Sequence, residues 1–164
     1  MKKIFTFLLF ISMTGCSDPV PSITTGLEGK PIPSFELLLM DSTTRLNTTN
    51  IPAGEPIVLF YFSPYCPYCR AQTQEIVDEL KSLNHIRFYL LSNFPFHSVK
   101  QYYNHYQLKN YPNIIVGQDF AMYFERYFKA SGVPYIAVYQ KDKRLRQVLV
   151  GKVDTRVIKE IALE

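Results

Sequence analysis

The sequence contains no tryptophan, and only three cysteines and three histidines occur among its 164 residues. A cysteine-based zinc site needs four ligands at characteristic spacings, and the histidines show no ligand spacing to one another, so we expect no metal. Hydrophobic residues make up 47% of the chain and charged residues 20%. That balance is globular, and it excludes a disordered tail, a collagen-like repeat and a disulfide-dense miniprotein. The length is typical of one domain.

A strong excess of charge of one sign is also missing. Eighteen basic residues stand against fourteen acidic ones, and Lys2 and Lys3 belong to a segment that we expect to be removed. The densest basic run, from Lys141 to Arg146, is predicted to form a solvated hairpin tip. So small an excess of positive charge gives no support for a nucleic-acid partner, and we expect none.

The N-terminus has the pattern of an exported, lipid-anchored protein. Two lysines precede an apolar stretch from Ile4 to Met13, which has the length of a signal-peptide core and is too short to span a bilayer. Met13-Thr14-Gly15-Cys16 then resembles the bacterial lipobox, in which the cysteine is lipidated after cleavage. We predict a signal peptide over 1–15 and lipidation of Cys16, which would be the membrane attachment. An ordinary secretory signal with an incidental cysteine is the alternative.

This N-terminus predicts a protein of the bacterial cell envelope that faces the periplasm. Ser17 follows the cysteine in place of the inner-membrane retention signal Asp, which favours the outer membrane. Residues 16–33 are rich in Pro, Ser, Thr and Gly and predict a tether from lipid to domain, and residues 34–164 are expected to form the domain. Export leaves Cys66 and Cys69 as a pair in an oxidising compartment. A disulfide between them would close a very short loop and would therefore stabilise the fold little, so a chemical role is favoured over a structural disulfide.

The hydrophobic pattern predicts an alternation of strands and helices. The apolar run from Ile57 to Phe62 suits a strand buried on both faces, and helical spacing follows from Cys66 to about Leu83. With a second buried strand over 86–91, these elements make a parallel βαβ unit. Further predictions are a strand over 35–40, a helix over 97–108, a short strand over 113–116, a helix with an aromatic stripe from Phe120 to Phe128, hairpin strands over 135–139 and 145–150, and a last helix capped by Asp154.

Cys66-Pro67-Tyr68-Cys69 lies where the central strand is predicted to meet the first helix. The first turn of a helix has free N–H groups and the positive end of the macrodipole, which stabilise a thiolate placed there. We therefore predict that Cys66 attacks and that Cys69, one turn deeper, resolves the mixed disulfide. Pro67 suits the first helical position, because it has no N–H to leave unpaired.

The sequence resembles the thioredoxin-like superfamily, and more narrowly its exported TlpA-like and redoxin-type thiol–disulfide oxidoreductases. The resemblance covers about 30–163 and rests on the lead-in Gly29 to Leu37, the strand Pro56 to Phe62, the Cys66 to Cys69 motif and Gly132-Val133-Pro134-Tyr135. It implies an α/β thioredoxin-like fold, with a central mixed β-sheet flanked by helices, an N-terminal extension and a central insertion over about 97–128. It also implies no cofactor beyond the redox-active disulfide Cys66–Cys69.

The resemblance also implies roles around the cysteines. In the family the proline before the penultimate strand is cis and packs against the disulfide, and Pro134 would have that role, although it could instead merely start a strand. The backbone of Val133 would then contact an extended substrate peptide. Pro67, Tyr68 and Tyr65 would support the site, and Tyr65 stands where most members have tryptophan.

The chain departs from the family where an acid would accept the proton of the second cysteine. Gln72 stands where many TlpA-like reductases have glutamate, and Phe60 stands where thioredoxins have an acid. Glu75 is the next acid along the helix, and we expect it to face solvent. The Pro-Tyr dipeptide is typical of glutaredoxins, but the glutathione-binding segment that they have after the cis-proline is missing. Glutathione is therefore not expected as a cofactor.

These observations predict an envelope thiol–disulfide oxidoreductase that exchanges disulfides with proteins, as a reductase or isomerase. Its partners would be thiol-containing or disulfide-bonded envelope proteins, with a membrane thiol–disulfide reductase as electron donor. A thiol peroxidase is an alternative, because the spacing from Ser63 to Cys66 matches part of a peroxiredoxin site, although the proline of that motif is missing near Phe60. A lipid-anchored binding or assembly module without redox activity is a second alternative.

Overall fold

The computed structural model describes residues 21–164. The predicted signal peptide, the lipidation site Cys16 and the neighbouring Ser17 lie outside the described residues. Among residues 21–164, no helix is both long enough and apolar enough to cross a bilayer.

Eight strands form one mixed sheet, with four α-helices in the described part of the chain. The strands are β1 (Ser22–Ile23), β2 (Glu36–Leu39), β3 (Arg45–Asn47), β4 (Ile57–Tyr61), β5 (Arg87–Ser92), β6 (Ile114–Gln118), β7 (Tyr135–Tyr139) and β8 (Leu145–Val150). The helices are α1 (Pro67–Asp78), α2 (Phe96–His105), α3 (Tyr123–Phe128) and α4 (Thr155–Leu163). Across the sheet the strand order is β1-β8-β7-β4-β5-β6-β2-β3.

The central strand is the apolar run that the sequence pattern predicted. All five residues of β4 are buried, and the strand lies between β7 on one side and β5 on the other. β4, β5 and β6 are parallel, whereas β7 and β8 run antiparallel to each other and β7 runs antiparallel to β4. The predicted parallel unit of β4, α1 and β5 and the hairpin of β7 and β8 are therefore confirmed, as is the mixed α/β sheet.

Alternating side chains of β4 enter two separate cores. Phe60 packs on one face with Ile76 of α1 and Ile158 of α4, in a cluster that also includes buried residues of α2. Leu59 points to the opposite face, where it shares a cluster with Phe124 of α3. The sheet is thus covered on both faces, and burial on both sides is the reason why β4 is apolar throughout.

The third helix begins later than its aromatic pattern predicted. Phe120 lies before α3 and is 41% exposed, with the guanidinium of Arg45 over its ring at 4.8 Å from the centroid. The buried side chain of Asp119 accepts hydrogen bonds from the backbone N–H groups of Tyr123 and Phe124, at 3.0 and 2.8 Å. These contacts satisfy the first free donors of the helix, so the helix starts at Tyr123 and Phe120 is left out of the predicted stripe.

Part of the segment predicted as a tether is paired with the sheet. β1 lies inside 16–33 and pairs antiparallel with β8. Further along, the Gly29 N–H donates to the Leu145 carbonyl at 2.8 Å, and the Ile32 N–H donates to the Lys143 carbonyl at 3.0 Å. The described part of this segment therefore extends the sheet beyond β8.

Candidate active site

Cys66 caps the N-terminus of α1. Its sulfur accepts a hydrogen bond from the backbone N–H of Cys69, with 3.3 Å between nitrogen and sulfur, and its backbone is extended as is usual for such a cap. Pro67 is the first residue of the helix. The sulfur of Cys66 is thus held at the positive end of the α1 dipole, where negative charge is stabilised.

The two thiols differ in their exposure. Both are free, but Cys66 is half-buried and Cys69 is fully buried in the core beneath α1. Burial raises the pKa of the Cys69 thiol well above its ordinary value, because a thiolate loses its hydration there; the backbone N–H of Ser63 opposes this shift. In this arrangement Cys66 is the thiol that a partner molecule can reach.

The loop before β7 contacts the first cysteine. The peptide bond between Val133 and Pro134 is cis, as the resemblance implied. The thiol of Cys66 donates a hydrogen bond to the carbonyl oxygen of Val133, with 3.7 Å between sulfur and oxygen. The structure therefore brings together the redox motif and the proline loop, which are separated by more than sixty residues in the sequence.

Two exposed tyrosines flank Cys66. Tyr65 is 62% exposed and Tyr68 is 65% exposed, so both aromatic rings reach the surface beside the thiol. Tyr65 also shares a hydrogen bond of 3.0 Å with the hydroxyl of Ser98, and its ring lies edge-on against Phe94. Ser98 belongs to α2, so Tyr65 links the redox motif to that helix.

Phe60 and Gln72, which stand where the resemblance implied an acid, both have structural contacts. Phe60 is in the core. The buried Gln72 accepts a hydrogen bond from the Val153 N–H at 2.7 Å, while its side-chain nitrogen has no hydrogen-bond partner in the described structure. Glu75 was expected to face solvent, but its side chain is only 25% exposed. It accepts a hydrogen bond from the Thr155 N–H and pairs with Lys152, which precedes α4.

Tyr102 of α2 is a site residue that the sequence pattern did not reveal. Its buried hydroxyl donates to the carbonyl oxygen of Cys69 at 3.1 Å and shares a hydrogen bond of 2.7 Å with Thr73. Burial raises the pKa of the Tyr102 hydroxyl, so it remains a donor at neutral pH. In the sequence Tyr102 is one of several tyrosines in a predicted helix, and nothing in the local pattern sets it apart.

Two cavities open beside the redox motif. One, of about 240 Å³, lies between α1 and α2 and includes Tyr65 and Arg70 in its lining. The other, of about 200 Å³, lies between β4 and the proline loop and includes Glu125 and Val133. The carboxylate of Glu125 accepts hydrogen bonds there from the Tyr61 hydroxyl and the Asn93 side chain, at 3.2 and 3.0 Å.

Comparison with solved structures finds many similar chains. A secreted disulfide oxidoreductase of Mycobacterium tuberculosis, homologous to E. coli DsbE, superposes with a TM-score of 0.64 at 15% identity, over 79% of this chain and 96% of that chain. The thioredoxin domain of a thiol-disulfide oxidoreductase from Bacteroides vulgatus gives a TM-score of 0.63 at 14% identity, over 82% of this chain and 97% of that chain. The peroxidoxin BcpB of M. tuberculosis gives 0.65 at 15% identity, over 83% and 93%.

These likenesses show that the fold is thioredoxin-like. No family model matches the sequence, and no curated protein matches it. The similar structures include both disulfide oxidoreductases and a peroxidoxin, so the fold is compatible with more than one thiol chemistry. The choice between these chemistries depends on the cysteines and their surroundings.

Proposed function

We propose that the protein is an enzyme that exchanges disulfides with thiol-containing proteins through Cys66 and Cys69. One observation carries the proposal: the half-buried sulfur of Cys66 lies at the start of α1, between the Cys69 N–H and the Val133 carbonyl, while Cys69 is buried one helical turn away. Disulfide exchange requires an accessible sulfur whose thiolate form is stabilised, with a second thiol close behind it.

In the reducing direction, the thiolate of Cys66 attacks one sulfur of a substrate disulfide. A bond forms between that sulfur and Cys66, and the other substrate sulfur leaves as a thiolate that takes up a proton. Cys69 then loses its proton and attacks the sulfur of Cys66. The substrate leaves with two thiols, and the protein retains the Cys66–Cys69 disulfide, so two electrons have passed to the substrate. A dithiol donor, which we propose to be a membrane thiol–disulfide reductase, restores the starting state.

The surroundings of Cys69 bear on the second step of this cycle, in which its thiol loses a proton. Its thiol is buried and its pKa is raised, and no acidic side chain among the described residues contacts it. We propose that the proton leaves only once the mixed disulfide has formed. The Tyr102 hydroxyl holds the backbone carbonyl of Cys69 and thus fixes the start of α1 during both steps.

We further propose that the protein works in the bacterial cell envelope, facing the periplasm and held by a lipid at Cys16. Support comes from the lipobox-like Met13 to Cys16 and from the lead-in of the TlpA-like branch at Gly29 to Leu37. One of the similar proteins is itself secreted. Substrates would then be disulfide-bonded proteins of the same compartment.

Insulin reduction by dithiothreitol, measured beside peroxide consumption, tests this function. We expect the protein to accelerate insulin precipitation and not to consume peroxide faster than free dithiothreitol does. Cys66→Ser should abolish the acceleration, because the attacking sulfur is gone. Peroxidase activity without insulin reduction would favour the peroxiredoxin alternative, and the absence of both activities would favour the binding or assembly module.

A further inference from the structure

A second feature beside the cysteines is the cavity between α1 and α2. We call it the Arg70 cavity; its lining includes Tyr65, Arg70, Ser98, Gln101, His105 and Tyr106. Tyr65 immediately precedes Cys66, and Arg70 immediately follows Cys69. A group that enters this cavity therefore lies beside the redox motif, on the side of α2.

The charge around the Arg70 cavity is positive. None of the described residues that line it is acidic, and α2 contains no Asp or Glu over its whole length. The acids of α1 lie further along the helix and have other contacts, since Glu75 pairs with Lys152 and Asp78 accepts from Gln74. The guanidinium of Arg70 thus has no competing carboxylate within its own cavity.

The guanidinium of Arg70 is also oriented. Its Nε donates to the Pro64 carbonyl oxygen at 3.0 Å, which holds one edge of the group in place and leaves its terminal NH₂ groups for other acceptors. Its positive charge acts to lower the pKa of the Tyr102 and Tyr106 hydroxyls, against the larger raising effect of burial. Arg70 forms no ion pair with the described residues.

The structure assigns the Arg70 cavity to the binding of a carboxylate carried by the substrate close to the disulfide under attack. The inference rests on the proposed function and names its substrate class: disulfides flanked by an acidic group. A planar guanidinium matches a carboxylate with two parallel hydrogen bonds. The exposed side chains of Gln101 and His105 also line the cavity.

A set of disulfide peptides tests the assignment. The peptides differ at one position near the cysteine, which is Glu, Gln or Lys, and kcat/KM for their reduction is measured at low salt. We expect the Glu peptide to be preferred over the Gln peptide by about five- to tenfold, the range for a charge-assisted hydrogen bond at a partly exposed site. The preference should shrink as salt is added.

Variants of Arg70 provide the decisive comparison. Arg70→Gln should bring the ratio of Glu to Gln peptide close to one, Arg70→Lys should keep part of it, and Arg70→Glu should favour the Lys peptide. Arg126 is an exposed arginine of α3, which covers the opposite face of the sheet, so Arg126→Gln is the matched control and should retain the preference.

The outcomes separate the two levels of the inference. Oxidised glutathione, which also carries carboxylates, is assayed alongside the peptides. A preference for the Glu peptide that Arg70→Gln removes, or a rate with oxidised glutathione that Arg70→Gln lowers, supports a carboxylate site and shows which source supplies the carboxylate. Equal rates on all peptides, together with a glutathione rate that Arg70→Gln leaves unchanged, would overturn the site and leave the exchange activity standing. Failure to reduce any disulfide would overturn the proposed function itself.

Discussion

The thiol of Cys66 donates its hydrogen bond to the carbonyl oxygen of Val133 across 3.7 Å. This donor exists only while the sulfur carries a proton. When Cys66 ionises or forms a disulfide, the Val133 carbonyl loses this partner and can accept a hydrogen bond from another donor. The state of the sulfur is thus coupled to the loop that we expect to contact an extended substrate peptide.

Alkylation of the reduced protein should modify Cys66 before Cys69. Cys66 is half-buried at the start of α1, whereas burial removes Cys69 from solvent and raises the pKa of its thiol. Peptide mapping by mass spectrometry after brief iodoacetamide treatment below neutral pH measures the order. Preferential labelling of Cys69 would contradict the assigned roles, and the denatured protein, in which both thiols are exposed, is the control.

Cys69→Ser should accumulate mixed disulfides with proteins of the cell, since the sulfur that resolves them is absent. Cys66→Ser is the matched control and should trap none, because the remaining thiol is buried. Non-reducing gels followed by mass spectrometry identify the trapped proteins. The redox state of the wild type in growing cells then sets the direction: a mostly oxidised pair with newly made proteins as partners would point to an oxidase instead of a reductase or isomerase.

Gly117→Ala should destabilise the protein by about 1–3 kcal/mol, because an added methyl group overpacks the core. A Cβ at Gly117 in β6 would lie 2.8 Å from the Cβ of Leu37, which is fully buried in β2. Urea denaturation gives the change in unfolding free energy. Gly132→Ala is the control, since a Cβ there meets no atom within 4 Å; equal stability of the two variants would be contrary to the packing described.

Asp154→Ala should cost about 1 kcal/mol through loss of the helix cap of α4, and Asp154→Asn should cost less. The Asp154 carboxylate accepts from the Arg156 N–H at 2.8 Å, and bonds from the Arg156 side chain and backbone lower the pKa of Asp154 to about 2. Because the pKa is lower in the folded protein, the ionised carboxylate stabilises the fold at pH values above the pKa of the unfolded chain, which is about 3.9.

The stability advantage of the wild type over the Asp154→Asn variant should therefore decline as the pH falls from about 4 towards 2. Denaturation of both proteins across this range measures it. An advantage that is constant over these pH values would show that the charge of Asp154 does not contribute to the cap.

Local patterns were enough to predict the framework of the site. The apolar run of β4, the proline after Cys66 and the cap residue Asp154 each act through neighbours in the sequence, and each is found where it was expected. The cis bond before Pro134 came instead from the resemblance to a family, since nothing in the adjacent residues specifies it.

What the sequence did not predict depends on contacts between distant segments. Phe120 fits the helical spacing of its neighbours, but Asp119 binds the N–H groups that start α3 and so excludes it. Glu75 looks like a solvent-facing acid until α4 packs beside it. The contact of Tyr102 with Cys69 joins two helices that the chain sequence separates by a whole strand.

The two edge strands of the sheet are also its shortest, with two residues in β1 and three in β3. A long bare strand edge is a template on which another chain can add its own strand, and short edge strands remove that template. Partly folded proteins, such as those whose disulfides are still being exchanged, expose unpaired strand edges that could pair with such a template. Under the proposed function the protein would meet such chains in turn, and because residues 21–164 offer them no long edge, each one could be released without joining its aggregation.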